Sequence, residues 1–520
     1  MPDLFQSESL SWALTHVQRF GDTDIFPIPF EYEAIAHNWN SIGPYLQTID
    51  FGKHNIFADR RVMVVKPGGG FRAAMQLDPR DQLLYTAAVY ESAELVEKAR
   101  IPVDQKVACS YRVQLAADGA FFPPDNGWGV FHSQSKQLAE GAKFSHVLLA
   151  DISDFYNQLG QHRIQNALEM AGVSADRSKN IERFLNQLTA KQSQGLPVGP
   201  FASIVLAEAC LIDVDNFLRR LNVPHTRYVD DFHIFCTSRK QAIEVRHSLA
   251  EYLFEVHRLS LESSKNVIQF VHKFLANELS DPEEQEKSAK VEKLTELLNA
   301  IAEQHGGYWS DDEVQEEEEE LLGQAEQDSF IELFEQCVTR PPLQLGLARH
   351  LLRKALRSRT VVLNNLVFRH LESLAPVMRD VVRYLAITIP KKQAGMRGSE
   401  LLEFSSTSDV GNLPFVRIWL LDLLARRPDL CEPARALDYA EGTPKSFGVR
   451  HTALIAAAHN QIDWVRARKE TWRNHEPWSR RALIWSASIL PSGERRPFLS
   501  MVAEQGDPLD VAVAKYLLSL

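Results

Sequence analysis

Two adjacent carboxylates, Asp230 and Asp231, stand in the run Arg227-Tyr228-Val229-Asp230-Asp231-Phe232-His233-Ile234-Phe235-Cys236, flanked by aromatic and β-branched residues. Such flanks predict two short strands with the Asp pair at the bend. Like charges side by side at a turn are costly unless something positive neutralises them, and a divalent cation is the natural partner. A third carboxylate, Asp151, follows the apolar run Val147-Leu148-Leu149-Ala150, which places it at the end of another strand. Two strands that deliver carboxylates to one sheet edge can hold two Mg²⁺ ions about 3.5–4 Å apart, the arrangement needed for in-line phosphoryl transfer. One ion activates an attacking hydroxyl; the other neutralises charge on the leaving phosphate. Asp151, Asp230 and Asp231 are therefore the candidate catalytic residues and metal ligands, with Mg²⁺ or Mn²⁺ as the cation.

The elements that must position these groups are legible around them. Gly195-Leu196-Pro197-Val198-Gly199-Pro200 reads as a loop entering the apolar helical run Ile204–Leu218. Val64-Val65-Lys66-Pro67-Gly68-Gly69-Gly70-Phe71-Arg72 reads as two short strands around a glycine turn. The ordered set Asp151-x-x-Asp154-Phe155-Tyr156, Gly195-Leu196-Pro197-x-Gly199-Pro200-x-x-Ser203 and Tyr228-x-Asp230-Asp231 resembles a reverse transcriptase. The resemblance covers about the first 280 residues and implies an α+β fold, the fingers and palm of a right-hand polymerase. It further implies that Lys66 and Arg72 hold the incoming triphosphate and that Tyr156 is an aromatic gate against a ribose 2′-OH. Lys265 corresponds to a lysine that protonates the departing pyrophosphate, and Phe270–Leu275 to a primer-grip hairpin.

Many enzymes of this kind have Gln where this chain has Val198. The Gly195–Pro200 version, the Ser110-Tyr111-Arg112 element and the stretch Phe20–Pro27 together resemble bacterial abortive-infection and defence-associated reverse transcriptases. That branch implies a C-terminal α-helical, HEAT-like repeat domain, a bacterial cytoplasmic location and protection against bacteriophage. The implied partners are dNTPs, RNA and/or newly made single-stranded DNA, and further copies of the chain. Some members of the branch prime DNA from a protein hydroxyl, for which Tyr308 is a candidate here. Two alternatives stay open: a retron-type enzyme copying a partner noncoding RNA, and a non-catalytic phage sensor on a polymerase scaffold.

With 520 residues, 45% apolar, 24% charged and 9% aromatic, the chain is expected to fold as more than one globular domain, which excludes a mostly disordered or fibrous class. The boundaries read as a polymerase domain over 1–280, an acidic connector over 281–330 and a helical module over 331–520. In that module Pro342–Ser358, Leu374–Ile389, Phe415–Arg426, Val449–His459, Arg480–Leu490 and Pro508–Leu518 carry apolar residues at helical spacing. The five cysteines are scattered with no CxxC, as in a reducing compartment, and no leader or membrane-spanning run is expected. The net charge of −11 on its face opposes a nucleic-acid partner, but it divides unevenly. Residues 1–280 hold 27 basic against 32 acidic residues, 281–330 hold 3 against 17, and 331–520 hold 27 against 19. The acidity belongs mostly to the connector, where Asp311–Glu320 places eight carboxylates in ten residues, and the helical module is basic enough to meet a polyanion.

Overall fold

A computed structural model describes residues 2–277 apart from 24, 125, 190 and 191, then 279, 286, 289, 290 and 293, and 327–520 apart from 443–446. The chain divides into two compact units: residues 1–62, 73–279 and 465–520 form the first, residues 63–72 and 280–464 the second. Tyr308 and the Asp311–Glu320 run lie outside the described residues.

The first unit is built on a four-stranded antiparallel sheet of strands β3 (His146–Asp151), β4 (His225–Tyr228), β5 (Asp231–Cys236) and β6 (Val267–Phe270), in the order β4-β5-β3-β6. Strand β3 is central, and its apolar run Val147, Leu148 and Ala150 is buried. Strands β1 (Arg60–Val65) and β2 (Phe71–Gln76) make a separate two-stranded hairpin.

Two long helices, Pro79–Ala99 and Phe201–Arg220, pack on each other in the core. Both bury residues around most of their circumference rather than along one stripe, as helices enclosed by other elements do. Asp78 caps the first by accepting from the Arg80 amide, with Pro79 in the first turn where its missing N–H costs nothing. Tyr85 on one helix and Ser203 on the other share a hydrogen bond of 3.0 Å.

All six helical segments expected in the C-terminal part are helices, but they do not belong together. In the second unit Leu345–Arg357 packs on Met378–Thr388, that on Pro414–Arg426, and that on Arg450–Ala458. Residues 465–520, grouped by sequence with this module, pack instead on the first unit. Helix Pro508–Ser519 lies against Glu31–His37, and Leu509 and Ala512 join the apolar core of the first unit. Arg481, fully buried, donates to Glu31 Oε1 at 3.1 Å and to Asp78 Oδ2 at 2.6 Å. Helical periodicity shows that a face must be covered and says nothing of which element covers it, hence the difference. All five cysteines are free and buried, and among the described residues no helix is long and apolar enough to cross a membrane.

Candidate active site

Strand β3 ends on Asp151 and β5 begins on Asp231, and the antiparallel register pairs these two residues directly. Directly paired residues project to the same face, so the two carboxylates meet, with Asp230 in the turn beside them. Asp151 is 7% exposed. Burial pushes the Asp231 carboxyl up to about 8, and the charges of Asp230 and Asp151 add to the effect. Lys265, in the turn before β6, places its ammonium 2.5 Å from Asp151 Oδ2. That turn is tied to the strand end by the Glu262 amide, which donates to the Asp151 carbonyl at 2.8 Å. Burial alone would lower the Lys265 pKa, but the bond to Asp151 and the surrounding carboxylates raise it.

Among the described residues no three His, Cys, Asp or Glu side chains are gathered tightly enough to hold a metal as they stand. The donor set nevertheless fits a hard cation. Three carboxylates crowd one sheet edge, one is driven toward its neutral form, and the positive charge on another comes from a largely exposed lysine side chain.

The turn between β4 and β5 is held in a costly conformation. Val229 has φ +55°, the left-handed region that β-branched residues avoid. Its amide donates to Ser110 Oγ at 2.8 Å and its carbonyl accepts from Arg227 Nη1 at 3.0 Å. Arg227 is fully buried and forks onto Asp215, with Nε and Nη2 at 2.7 and 2.6 Å from the two oxygens, while Nη1 reaches Glu208 at 3.0 Å. Ser110 Oγ donates to Glu208 Oε1 at 2.5 Å, and Arg100 Nη2 donates to Glu208 Oε2 at 2.8 Å. Burial pushes the Asp215 carboxyl up, but the Arg227 guanidinium carries it well below the usual range. Glu208 and Asp215 are seven residues apart, two helical turns, so the helix Phe201–Arg220 presents both along one line to the back of the turn.

Sequence reasoning missed Arg100, Glu208, Asp215 and Arg227 as supports of the site. A signal was present: carboxylates at i and i+7 inside a largely apolar helical run, and an arginine inside a β-rich run, are each costly unless they meet partners.

Residues 105–315 match a family model described as "Reverse transcriptase (RNA-dependent DNA polymerase)". The chain carries a reverse transcriptase domain. That domain indicates RNA-directed DNA polymerase activity, a nucleotidyl transfer, and domains of this kind generally use divalent metal ions, typically Mg²⁺. No protein among curated ones matches the chain. Solved structures with some likeness include telomerase from Candida albicans in complex with a TWJ fragment of telomeric RNA, at 11% identity over 80% of this chain and 70% of that one, TM-score 0.30. Apo telomerase from Candida tropicalis matches at 10% identity over 80% and 73%, TM-score 0.31.

The other residues singled out from the sequence sit as follows. Tyr156 is half-buried, its ring 5.6 Å from Phe155, and its carbonyl accepts from the Leu196 amide at 2.7 Å. The Gly195–Pro200 loop is thereby tied to the segment after Asp151, and Val198 is tied to β2, its carbonyl accepting from the Met75 amide at 2.9 Å. Gly199 (φ +133°) needs its lack of a side chain, since a Cβ would stand 2.5 Å from Thr23 Oγ1.

Lys66 and Arg72 lie at the base of the β1–β2 turn, which is closed by the Lys66 amide on the Gly70 carbonyl at 2.8 Å and turned by Gly68 and Gly69 at φ +98° and +89°. Phe270–Leu275 is not a hairpin: β6 ends at Phe270 and the helix Val271–Asn277 follows at once. The buried Phe274 takes a place in a small apolar cluster with Phe235, Val147 and Ala139, which helical spacing allows and a returning strand would not.

Proposed function

We propose that the chain is a DNA polymerase of reverse-transcriptase type that joins dNTPs by two-metal nucleotidyl transfer, with Asp151, Asp230 and Asp231 as the ligands of two Mg²⁺ or Mn²⁺ ions. The observation that carries this reading is the in-register facing of Asp151 and Asp231, with the Lys265 ammonium on Asp151. Divalent cations there supply an activated attacking hydroxyl and neutralise the leaving pyrophosphate. With cations bound, Asp151, Asp230 and Asp231 would hold them as carboxylates, and the Lys265 ammonium, here on Asp151 Oδ2, would be released to donate to the departing pyrophosphate. Lys66 and Arg72 hold the triphosphate, the arginine through its planar fork, and the Tyr156 ring rejects a ribose 2′-hydroxyl. The Asp230→Asn, Asp231→Asn double variant is expected to abolish nucleotide incorporation while keeping the wild-type circular dichroism spectrum; undiminished synthesis by it sinks the assignment. Tyr156→Ala should raise ribonucleotide use relative to deoxynucleotide use by about tenfold or more, since a steric gate discriminates by a few kcal/mol at most.

Within this reading the polymerase domain spans 1–280 together with the helices of 465–520, with an acidic connector over 281–330 and a HEAT-like helical module over 331–464, which engages RNA, newly made DNA or further copies of the chain. The branch-specific Gly195–Pro200 and Phe20–Pro27 stretches support a bacterial cytoplasmic enzyme of defence against bacteriophage, templated by RNA or template-free and primed by a nucleic acid or a protein hydroxyl. Plaque counts on bacteria carrying the wild-type or the Asp230→Asn, Asp231→Asn chain test the role: equal protection by both removes catalysis from it. Labelled dNTP incorporation with and without RNase, read before and after protease, separates the priming and templating modes.

A further inference from the structure

Tyr228, the last residue of β4, pairs in register with Asp231, which pairs in turn with Asp151. The three side chains therefore share one face in a row across adjacent strands, about 4.8 Å from one to the next, and Lys265 closes the Asp151 end. At the Tyr228 end stands Trp128. Its ring meets Tyr228 edge to face, centroids 4.9 Å apart at 90°, and lies 4.4 Å from the His132 ring.

The helix Trp128–Glu140 is fixed firmly. Gly127 precedes it at φ +80°, where a Cβ would overlap the Cys109 carbonyl. Phe131 stacks on His233 at 4.4 Å, and Ser135 Oγ bonds Thr226 Oγ1 at 2.7 Å and His233 Nδ1 at 3.0 Å. Yet Trp128 is left 44% exposed, although an indole normally gives most of its large surface to a core. His132 and the exposed Lys136 follow at successive four-residue steps, so a stacking ring, an imidazole and a cation run along one flank of the helix. Aromatic faces backed by cations are what single-stranded nucleic acid binds.

We propose that Trp128 is a stacking platform for the base that carries the attacking hydroxyl, the end of the growing strand. This rests on the polymerase reading above. In an in-line transfer the attacking and leaving groups lie on opposite sides of the phosphorus, and the positive end of the row, at Lys265, suits the leaving pyrophosphate. The attacking strand then enters from the opposite end, over Tyr228 and Trp128, with Lys136 toward its backbone.

The test uses the purified full chain, extending a DNA primer whose 3′ nucleotide is natural or abasic, on a matched RNA template. Trp128→Ala should raise the primer KM about 5- to 150-fold, the range that one base–aromatic stack is worth, with the KM for dNTP and kcat within about twofold of wild type, while Trp128→Phe restores most of the affinity. On the abasic primer the wild-type and Trp128→Ala proteins should differ by less than about twofold, since the stacking partner is gone. An unchanged primer KM in Trp128→Ala, or an equal loss on both primers, overturns the proposal. Binding of labelled dT12, measured without catalysis, keeps the two readings apart. A wild-type chain that binds dT12 through Trp128 but incorporates nothing fails as a polymerase alone, whereas an active chain whose Trp128→Ala variant binds and extends as wild type fails this inference alone.

Discussion

Val229 is the residue at which folding is sacrificed to geometry: a β-branched side chain in the left-handed region next to Asp230, held there by a hydroxyl on its amide and a guanidinium on its carbonyl. Such strain persists only where the surroundings over-determine it. Removing one clamp tests this. Ser110→Ala leaves the Val229 amide and Glu208 Oε1 short of a partner and should cost about 1–3 kcal/mol in a denaturant midpoint experiment, with a fall in kcat larger than any change in the KM for dNTP.

A second single-residue prediction concerns pH. Asp22, buried and hydrogen-bonded by Gln76 Nε2 at 2.9 Å, has its carboxyl pushed up to about 7 by burial. A raised carboxyl pKa means that the folded chain holds a proton the unfolded chain has lost, so this contribution is complete below the unfolded value near 4 and declines as pH rises through about 7. Wild type should therefore lose on the order of 1 kcal/mol more than Asp22→Asn between pH 6 and pH 8. Parallel stability profiles for the two proteins reject the assignment.

At the scale of elements, the strands that carry the carboxylates were legible because each is a short apolar or aromatic run broken by charge, and the structure ends β3 at Asp151 and turns at Val229 and Asp230 as that pattern requires. The glycine turn of β1 and β2 was legible because only glycine takes positive φ freely. The segment after β6 was misread because a six-residue mix of Phe, Val, His, Lys and Leu suits strand and helix alike, and the choice fell to the pocket waiting for Phe274. The close approach of the Gly195–Pro200 loop to Thr23 yields a prediction here. Gly199→Ala, strained in φ and crowded against Thr23 Oγ1, should cost about 1–3 kcal/mol and depress nucleotide incorporation through the displaced loop. A wild-type midpoint and rate would mean that the loop simply yields.

At the scale of the molecule, the C-terminal helices of residues 465–520 complete the unit that carries the reverse transcriptase motifs. Arg481 has no exposed surface, and neither do its partners Glu31 and Asp78. Breaking such a buried pair from one side leaves uncompensated charge, so Arg481→Met should cost about 3–5 kcal/mol. A chain ending at Trp464 should lose cooperative unfolding of the polymerase domain, since Leu509 and Ala512 are part of its core. A soluble, cooperatively folding, active 1–464 fragment contradicts that view.

The chemistry proposed for this protein was legible in the order and spacing of its carboxylates, because metal-dependent phosphoryl transfer calls for acidic residues at strand ends and a turn, and these leave local patterns. The helices of the C-terminal part were likewise present in their periodicity. What only the tertiary structure decided is which distant groups meet. Glu208 and Asp215 on one helix, with Arg100 and Ser110, converge around Arg227 and Val229 from three separate segments, Arg481 finds Asp78 across some four hundred residues, and Trp128 comes to rest at the end of the row formed by Tyr228, Asp231 and Asp151. Burial forces polar groups to find partners, but which partner is set by how helices and sheet pack, and packing is a property of the whole chain rather than of any window of it.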